Sequence, residues 1–321
     1  MYRIDDATAA TSIPAPEAAG TEGYFTEGNP ATGTPATKVR GSWLNMIQEE
    51  LCAILAAAGI ARSKTTYNQV NSALQKMYSP VVGTVRNLAM SVTAASATAT
   101  LTADEIVVGA ALGGQKYILP SFSKTINLAT TGAGGMDTGS APTSGFVALY
   151  AIYNPTTGTS ALLATNASTL KPSVYGGANM PAGYTASALV SVWQTNGSGQ
   201  LVAGWQQDRY FTGPVNQVLS TSTQQVSVTP LSISSVVPAN ARSVSGLQQV
   251  GSTTNAVSNG TLLVSSVGGG NILTSNNAPG AGIIATQFQK LILTTPQTIY
   301  YTVTTTAGTL SYQISITGYE I

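Results

Sequence analysis

From Thr138 to Ile321 the chain carries only six charged residues, Lys171, Asp208, Arg209, Arg242, Lys290 and Glu320. An ordinary soluble domain is about a quarter charged, and this whole 321-residue chain is 8% charged. Ser, Thr, Asn, Gln and Gly fill its polar positions instead. Any fold it adopts must therefore meet water through hydroxyls and amides, and its surface offers little field for steering ions. Side chains of this kind suit neutral hydrogen-bonding ligands, packed subunit surfaces and extracellular settings. They do not suit acid–base catalysis.

The same economy excludes function classes. Net charge is +1 with no basic cluster, so no nucleic-acid partner is expected, because that binding rests on neutralising phosphates. Histidine is absent, which removes the commonest general base and metal ligand. Cys52 is the single cysteine, so no intrachain disulfide or Cys/His zinc site can form. Beyond Asp137 the acids are Asp208 and Glu320, too few for the local carboxylate pair that glycoside hydrolysis needs. Asp5–Asp6 and Asp104–Glu105 read as solvated acids, since calcium needs several spaced oxygen ligands. The expectation is a protein without enzymatic activity, cofactor or metal. The longest apolar run, residues 51–61, is too short to cross a bilayer, so no membrane insertion is expected.

Two formal motifs fail on context. Gly280-Ala281-Gly282-Ile283-Ile284-Ala285 follows a dinucleotide pattern, but Pro279 precedes it, a β-like run follows, and no acid lies some twenty positions on. Ser121-x-x-Lys124 lacks the partner motifs of penicillin-recognising enzymes.

Residues 1–40 hold Pro14, Pro16, Pro30 and Pro35 among Gly20, Gly23, Gly28 and Gly33. Such a segment cannot bury a core by itself, and it reads as extended, with Tyr24–Phe25 as an anchor onto a partner. Leu44, Ile47, Leu51, Ile54 and Ala58 then repeat at helical spacing, with Ser42 as N-cap and Gly59 as stop. Thr66-x-x-Gln69 reads as a capping box for a second helix striped by Tyr67, Val70, Leu74 and Met77, ended by Pro80. Residues 81–103, rich in Ala, Thr and Ser, read as a linker or an intersubunit strand. From Glu105 the chain reads β. Residues 146–153 are apolar on both faces, as in a doubly buried strand. Residues 186–193 alternate, and Asn196-Gly197-Ser198-Gly199 reads as a hairpin turn into Leu201–Trp205. Ile299, Tyr301 and Val303 share one face, and after a turn at Ala307-Gly308 so do Leu310, Tyr312, Ile314 and Ile316. The fold class is mainly β. A short helical region at 1–80 is followed by two β-sandwich-like domains at 104–212 and 213–321.

Gly23-Tyr24-Phe25-Thr26-Glu27-Gly28-Asn29-Pro30-Ala31-Thr32-Gly33-Thr34-Pro35-Ala36-Thr37, continued by Trp43-Leu44-Asn45-Met46-Ile47-Gln48-Glu49-Glu50-Leu51, resembles the N-terminal region of tail-fibre proteins of tailed bacteriophages and prophages. Residues 66–78 and, more loosely, 316–321 share that likeness. The resemblance implies a homotrimeric virion appendage, assembled in the host cytoplasm and released by lysis. Its N-terminal part would meet tail or baseplate proteins, with Tyr24, Phe25, Trp43, Leu44, Ile47 and Leu51 at the tail-docking or trimer interface. Its β domains would meet a host glycan or protein. Asn271, Asn276, Asn277 and Tyr300 are receptor-binding candidates there, because amides bond sugar hydroxyls and a tyrosine ring stacks on a sugar face. The alternatives are an adaptor carrying a separate receptor-binding protein and a polysaccharide-degrading tailspike.

Overall fold

The computed structural model describes residues 1–78, 80–254, 258–263, 272–276 and 282–321. It divides into two compact units, Met1–Ser79 and Pro80–Ile321.

In the first unit, α1 spans Gly41–Ala57 and α2 spans Gln69–Tyr78. Leu, Gln, Glu and Ala populate α1, and after its opening Gly41 no helix breaker interrupts it. Arg40, extended at φ −93°, is its N-cap rather than Ser42. The helix stops where Gly59 turns left-handed at φ +63°. The buried face is Cys52 and Leu55 on α1 and Ala58 at its C-cap, with Gln69 and Ala73 on α2. Of the expected stripe Ala58 is buried, Ile47, Leu51 and Ile54 are half-covered, and the start, Leu44, is exposed. The physical reason is size. A ten-residue α2 covers only the end of α1, so burial is confined to that end. Gln69 is not a capping residue either. Its amide donates to the Ala61 carbonyl at 2.7 Å, and its oxygen accepts from Ser63 N at 3.1 Å and from the Met1 ammonium. The first residues lie pinned on the helices through Arg3–Glu49, Lys64–Asp5 at 2.7 Å, and Ile4 N to Gln48 Oε1 at 2.7 Å.

The second unit holds β1 (Val85–Arg86), β2 (Ala89–Val92), β3 (Thr98–Gly109), β4 (Lys116–Asn127), β5 (Phe146–Asn154), β6 (Thr159–Asn166), β7 (Ala186–Gln194) and β8 (Gly204–Gln207). It continues with β9 (Tyr210–Thr221), β10 (Gln225–Ser232), β11 (Ser243–Ser252), β12 (Ser258–Leu263), β13 (Ile272–Asn276), β14 (Gly282–Ile292), β15 (Thr298–Thr305) and β16 (Leu310–Glu320). A twelve-stranded sheet runs β14-β11-β16-β9-β8-β2-β3-β7-β5-β6, with β1 and β4 also on β3; a four-stranded sheet runs β10-β15-β12-β13.

The segment expected as a linker or an intersubunit strand belongs to the chain's own large sheet. Met90, Val92, Ala99, Leu101 and Ala103 are buried while Thr98, Thr100 and Thr102 face out. The Ala/Thr run hides a period of two, which is what a half-buried strand requires. The boundary placed near residue 212 is also crossed by hydrogen bonding, because β9 pairs with β8 (Trp205↔Thr212) and then along β16 from Glu320↔Tyr210 to Tyr312↔Thr221. The turn at residues 196–199 forms, with Asn196 N bonded to Gln200 O at 2.8 Å. Its arms then part. β7 pairs with β5, and β8 pairs with β2 and β9.

β5 is buried on both faces. Val147, Leu149 and Ala151 enter the main core, and Phe146, Ala148, Tyr150 and Ile152 enter a second cluster capped by Tyr175. Tyr175 donates to Asp137 Oδ2 at 2.8 Å, and burial together with that carboxylate pushes its pKa up to about 12. β15 and β16 lie in opposite sheets, and the Ala307–Gly308 turn carries the chain across. Their apolar faces meet, with Tyr301 stacked on Tyr312 at 5.8 Å. Trp193, Phe211 and Tyr319 interlock at 4.7 Å centroid spacings, and Tyr319 donates to the Val192 carbonyl at 2.7 Å. Arg209 braces the same region by donating to the Leu189 carbonyl at 2.9 Å and to that of Gly83.

Candidate attachment surface

The glycine- and proline-rich segment ahead of α1 folds into a pinned loop. Asn29 and Thr34 exchange backbone bonds at 2.8 and 3.0 Å, and the Asn29 side chain accepts from Ala31 N at 3.0 Å, closing a short 3-10 turn at Pro30–Thr32. Gly28 and Gly33 both sit at φ +72°. A Cβ on Gly28 would lie 2.5 Å from the Thr34 carbonyl oxygen, so the motif needs glycine there on two counts. One step further out, Thr37 N bonds Thr26 O at 2.9 Å, and Thr26 N bonds Thr37 Oγ1 at 3.0 Å. This stem fixes the base of the loop and, with it, the aromatic pair that precedes Thr26.

Phe25 meets Trp43 edge-to-face at 4.9 Å. Tyr24 beside it is 97% exposed, and Phe25, Trp43, Leu44 and Met46 are exposed as well. A groove of about 790 Å³ runs between the loop and the start of α1, lined by Ile13, Pro16, Tyr24, Phe25, Trp43 and Met46 among others. Arg40 and Glu17 close an ion pair of 2.7 Å beside it. That hydrogen bond, with others from the Glu17 backbone and Ser42, holds the Glu17 carboxyl down at about 2. Large apolar rings without a cover, beside a single ion pair, are suited to protein–protein contact rather than to chemistry.

The sequence-derived interface residues divide here. Tyr24, Phe25, Trp43 and Leu44 share the exposed surface, whereas Ile47 and Leu51 are half-covered along α1. Met46 belongs to the surface too. Its position three after Trp43 was the available signal. The receptor candidates do not assemble into a described site. Asn271 and Asn277 lie outside the described residues. Asn276 ends β13 opposite Asn259. Tyr300 is partly exposed on β15, and its hydroxyl lies 3.0 Å from Thr295 Oγ1. Among the described residues no three acidic or cysteine side chains gather as metal ligands, and no helix is long and apolar enough to cross a membrane.

No family model matches the chain. A stretch of 77 residues, 24% of the chain, is 42% identical to "Uncharacterized protein StfP" of Escherichia coli strain K12. The match takes in 35% of that protein, so the chain spans about a third of the length of this relative.

Proposed function

We propose that this is a structural tail-fibre protein of a tailed phage or prophage. In this reading residues 1–80 attach a homotrimer to the tail, and the β unit adheres to the host cell surface. The observation that carries the reading is the uncovered aromatic surface around Phe25 and Trp43. It has the composition of a binding hot spot, with aromatic anchors set in a groove. The motif that resembles tail-fibre N-termini is the one whose glycines and asparagine fix that surface, and the partial likeness to StfP supports a prophage tail-fibre-related chain. The mechanism is adhesion, in which individually weak contacts from several copies sum to tight attachment.

Trp43→Ala tests the attachment role. Truncating an aromatic anchor costs about 2 kcal/mol or more, so incorporation into particles should fall by about tenfold or more, with the far-UV circular dichroism of the β unit unchanged. Normal incorporation would refute the docking role. Saturable binding of the labelled full chain to host cells tests adhesion. A second protein bridging chain and cell would turn the reading to an adaptor.

A further inference from the structure

The outward face of β2, β3, β4 and β8 carries a shallow groove of about 550 Å³, lined by Ala89, Ser91, Thr100, Thr102, Thr125 and Trp205 among others. Trp205 is 56% exposed. It stands apart from Trp193, which is fully buried and donates its indole N–H to the Val202 carbonyl at 2.9 Å. The Trp205 indole N–H donates to no described residue.

Strand register explains how the groove forms. Ser91 pairs with Trp205 and Ala89 with Thr102. Thr100 pairs with Thr125, and their hydroxyls lie 2.8 Å apart. When one hydroxyl of that pair donates to the other, the second keeps a free proton and both keep spare lone pairs. The row from β4 to β8 crosses three strand spacings, about 14 Å, with hydroxyls at one end and an indole face at the other. No lining residue is ionisable. Asp104, next along the outward face of β3, is bonded by the Asn87 amide at 2.6 Å.

We propose that this groove binds a neutral saccharide, with Trp205 as the stacking platform and Ser91, Thr100 and Thr125 as hydrogen-bonding partners; the setting at a host surface rests on the adhesion reading above. The C–H faces of a sugar ring carry partial positive charge and pack on the negative face of an indole, and the hydroxyls match the sugar's own. The groove holds no cation to meet an acidic glycan. β2 and β8, which carry Ser91 and Trp205, are each paired on both sides, so no open edge for a peptide strand lies beside the indole. Apart from Trp205, the outward lining is small and hydroxylic, unlike the apolar centre of a subunit interface.

The test uses the full chain with neutral gluco-, manno- and galacto-hexaoses and with neutral polysaccharide from host cells. Tryptophan fluorescence and saturation-transfer NMR are the readouts. At least one probe should give a saturable response that Trp205→Ala abolishes. Thr100→Val, which keeps the β-branched shape, should weaken it by about tenfold, the loss expected when a site built for a hydroxyl loses a partner. No response to any neutral probe, or wild-type binding by both variants, overturns the proposal. So does a Trp205→Ala change that alters only the sedimentation coefficient, which would make the face a contact between copies. Cell binding separates the two readings. Equal adhesion by wild type and Trp205→Ala leaves adhesion standing and refutes the groove. Saccharide binding without cell adhesion leaves the groove standing and refutes adhesion.

Discussion

Replacing Phe211 by Ala tests whether residues 80–321 unfold as one body. Phe211 is buried at the point where the chain passes from β8 into β9, and its ring touches Trp193 of β7 and Tyr319 of β16, each at 4.7 Å. The backbone on either side is shaped around it, because a Cβ on Gly204 would fall 2.8 Å from the ring. Nothing nearby can close over the space the ring leaves. A buried Phe→Ala change costs about 3–5 kcal/mol, and two ring–ring contacts place this site at the upper end. For a unit of this size each kcal/mol moves Tm by about 2–4 °C, so a loss of about 4–5 kcal/mol lowers Tm by about 8–20 °C. The assay is thermal and denaturant unfolding at fixed protein concentration, followed by far-UV circular dichroism and by tryptophan fluorescence. The β unit should show one coincident transition that shifts as a whole. Two transitions, of which only one moves, would refute a continuous unit and restore a boundary near residue 212. A loss below about 1 kcal/mol would refute the packing argument.

Leu55→Ala should cost about 2–5 kcal/mol and melt the helix pair, whereas Leu44→Ala should stay within about 0.5 kcal/mol; circular dichroism of both variants decides, and the reverse order would return the buried seam to Leu44, Ile47 and Leu51. Acid should release the N-terminal segment. Glu17 is held near 2 by Arg40, below its ordinary 4.5, and Asp5 and Glu49 are lowered by Lys64 and Arg3. Lowered carboxylates contribute stability that is complete above their unfolded pKa and is lost as pH falls through the folded one. The amide resonances of Ile4 and Thr26 should therefore move to unstructured positions between pH 4.5 and 2, and unchanged shifts at pH 2 would contradict this.

What was legible in the sequence is what one strand decides alone. The alternation of Ile299, Tyr301 and Val303, and of Leu310, Tyr312, Ile314 and Ile316, marks the buried faces correctly, and the apolar run at 146–153 marks a doubly covered strand. Partner choice was not legible. The residues of β15 and β16 specify a wet and a dry face, and a turn between two such strands serves a hairpin and a sandwich equally well. β2 and the start of β3 were read as a linker or an intersubunit strand, because Ala and Thr carry a weak periodic signal and no sign of the partner. The helix seam was found at Ala58 and missed at Cys52 and Leu55, because burial depends on where the short α2 lies, not on the hydrophobicity of α1 alone. At the candidate sites, Tyr24, Phe25 and Trp43 stood out as aromatics in a segment with no core. Trp205 did not, since only the register with Ser91 and Thr212 shows which way it points.

β16 lies between β9 and β11, bonded to both along its length. Those two neighbours are made first, and neither substitutes for the strand between them. Until Leu310–Glu320 has left the ribosome, each stands with a bare edge able to recruit a strand from another nascent chain. Folding of this half thus waits for β16, gated by long-range pairings that form slowly. In a polysome, where identical chains lie side by side, that delay opens a window in which β16 of one copy can pair with another.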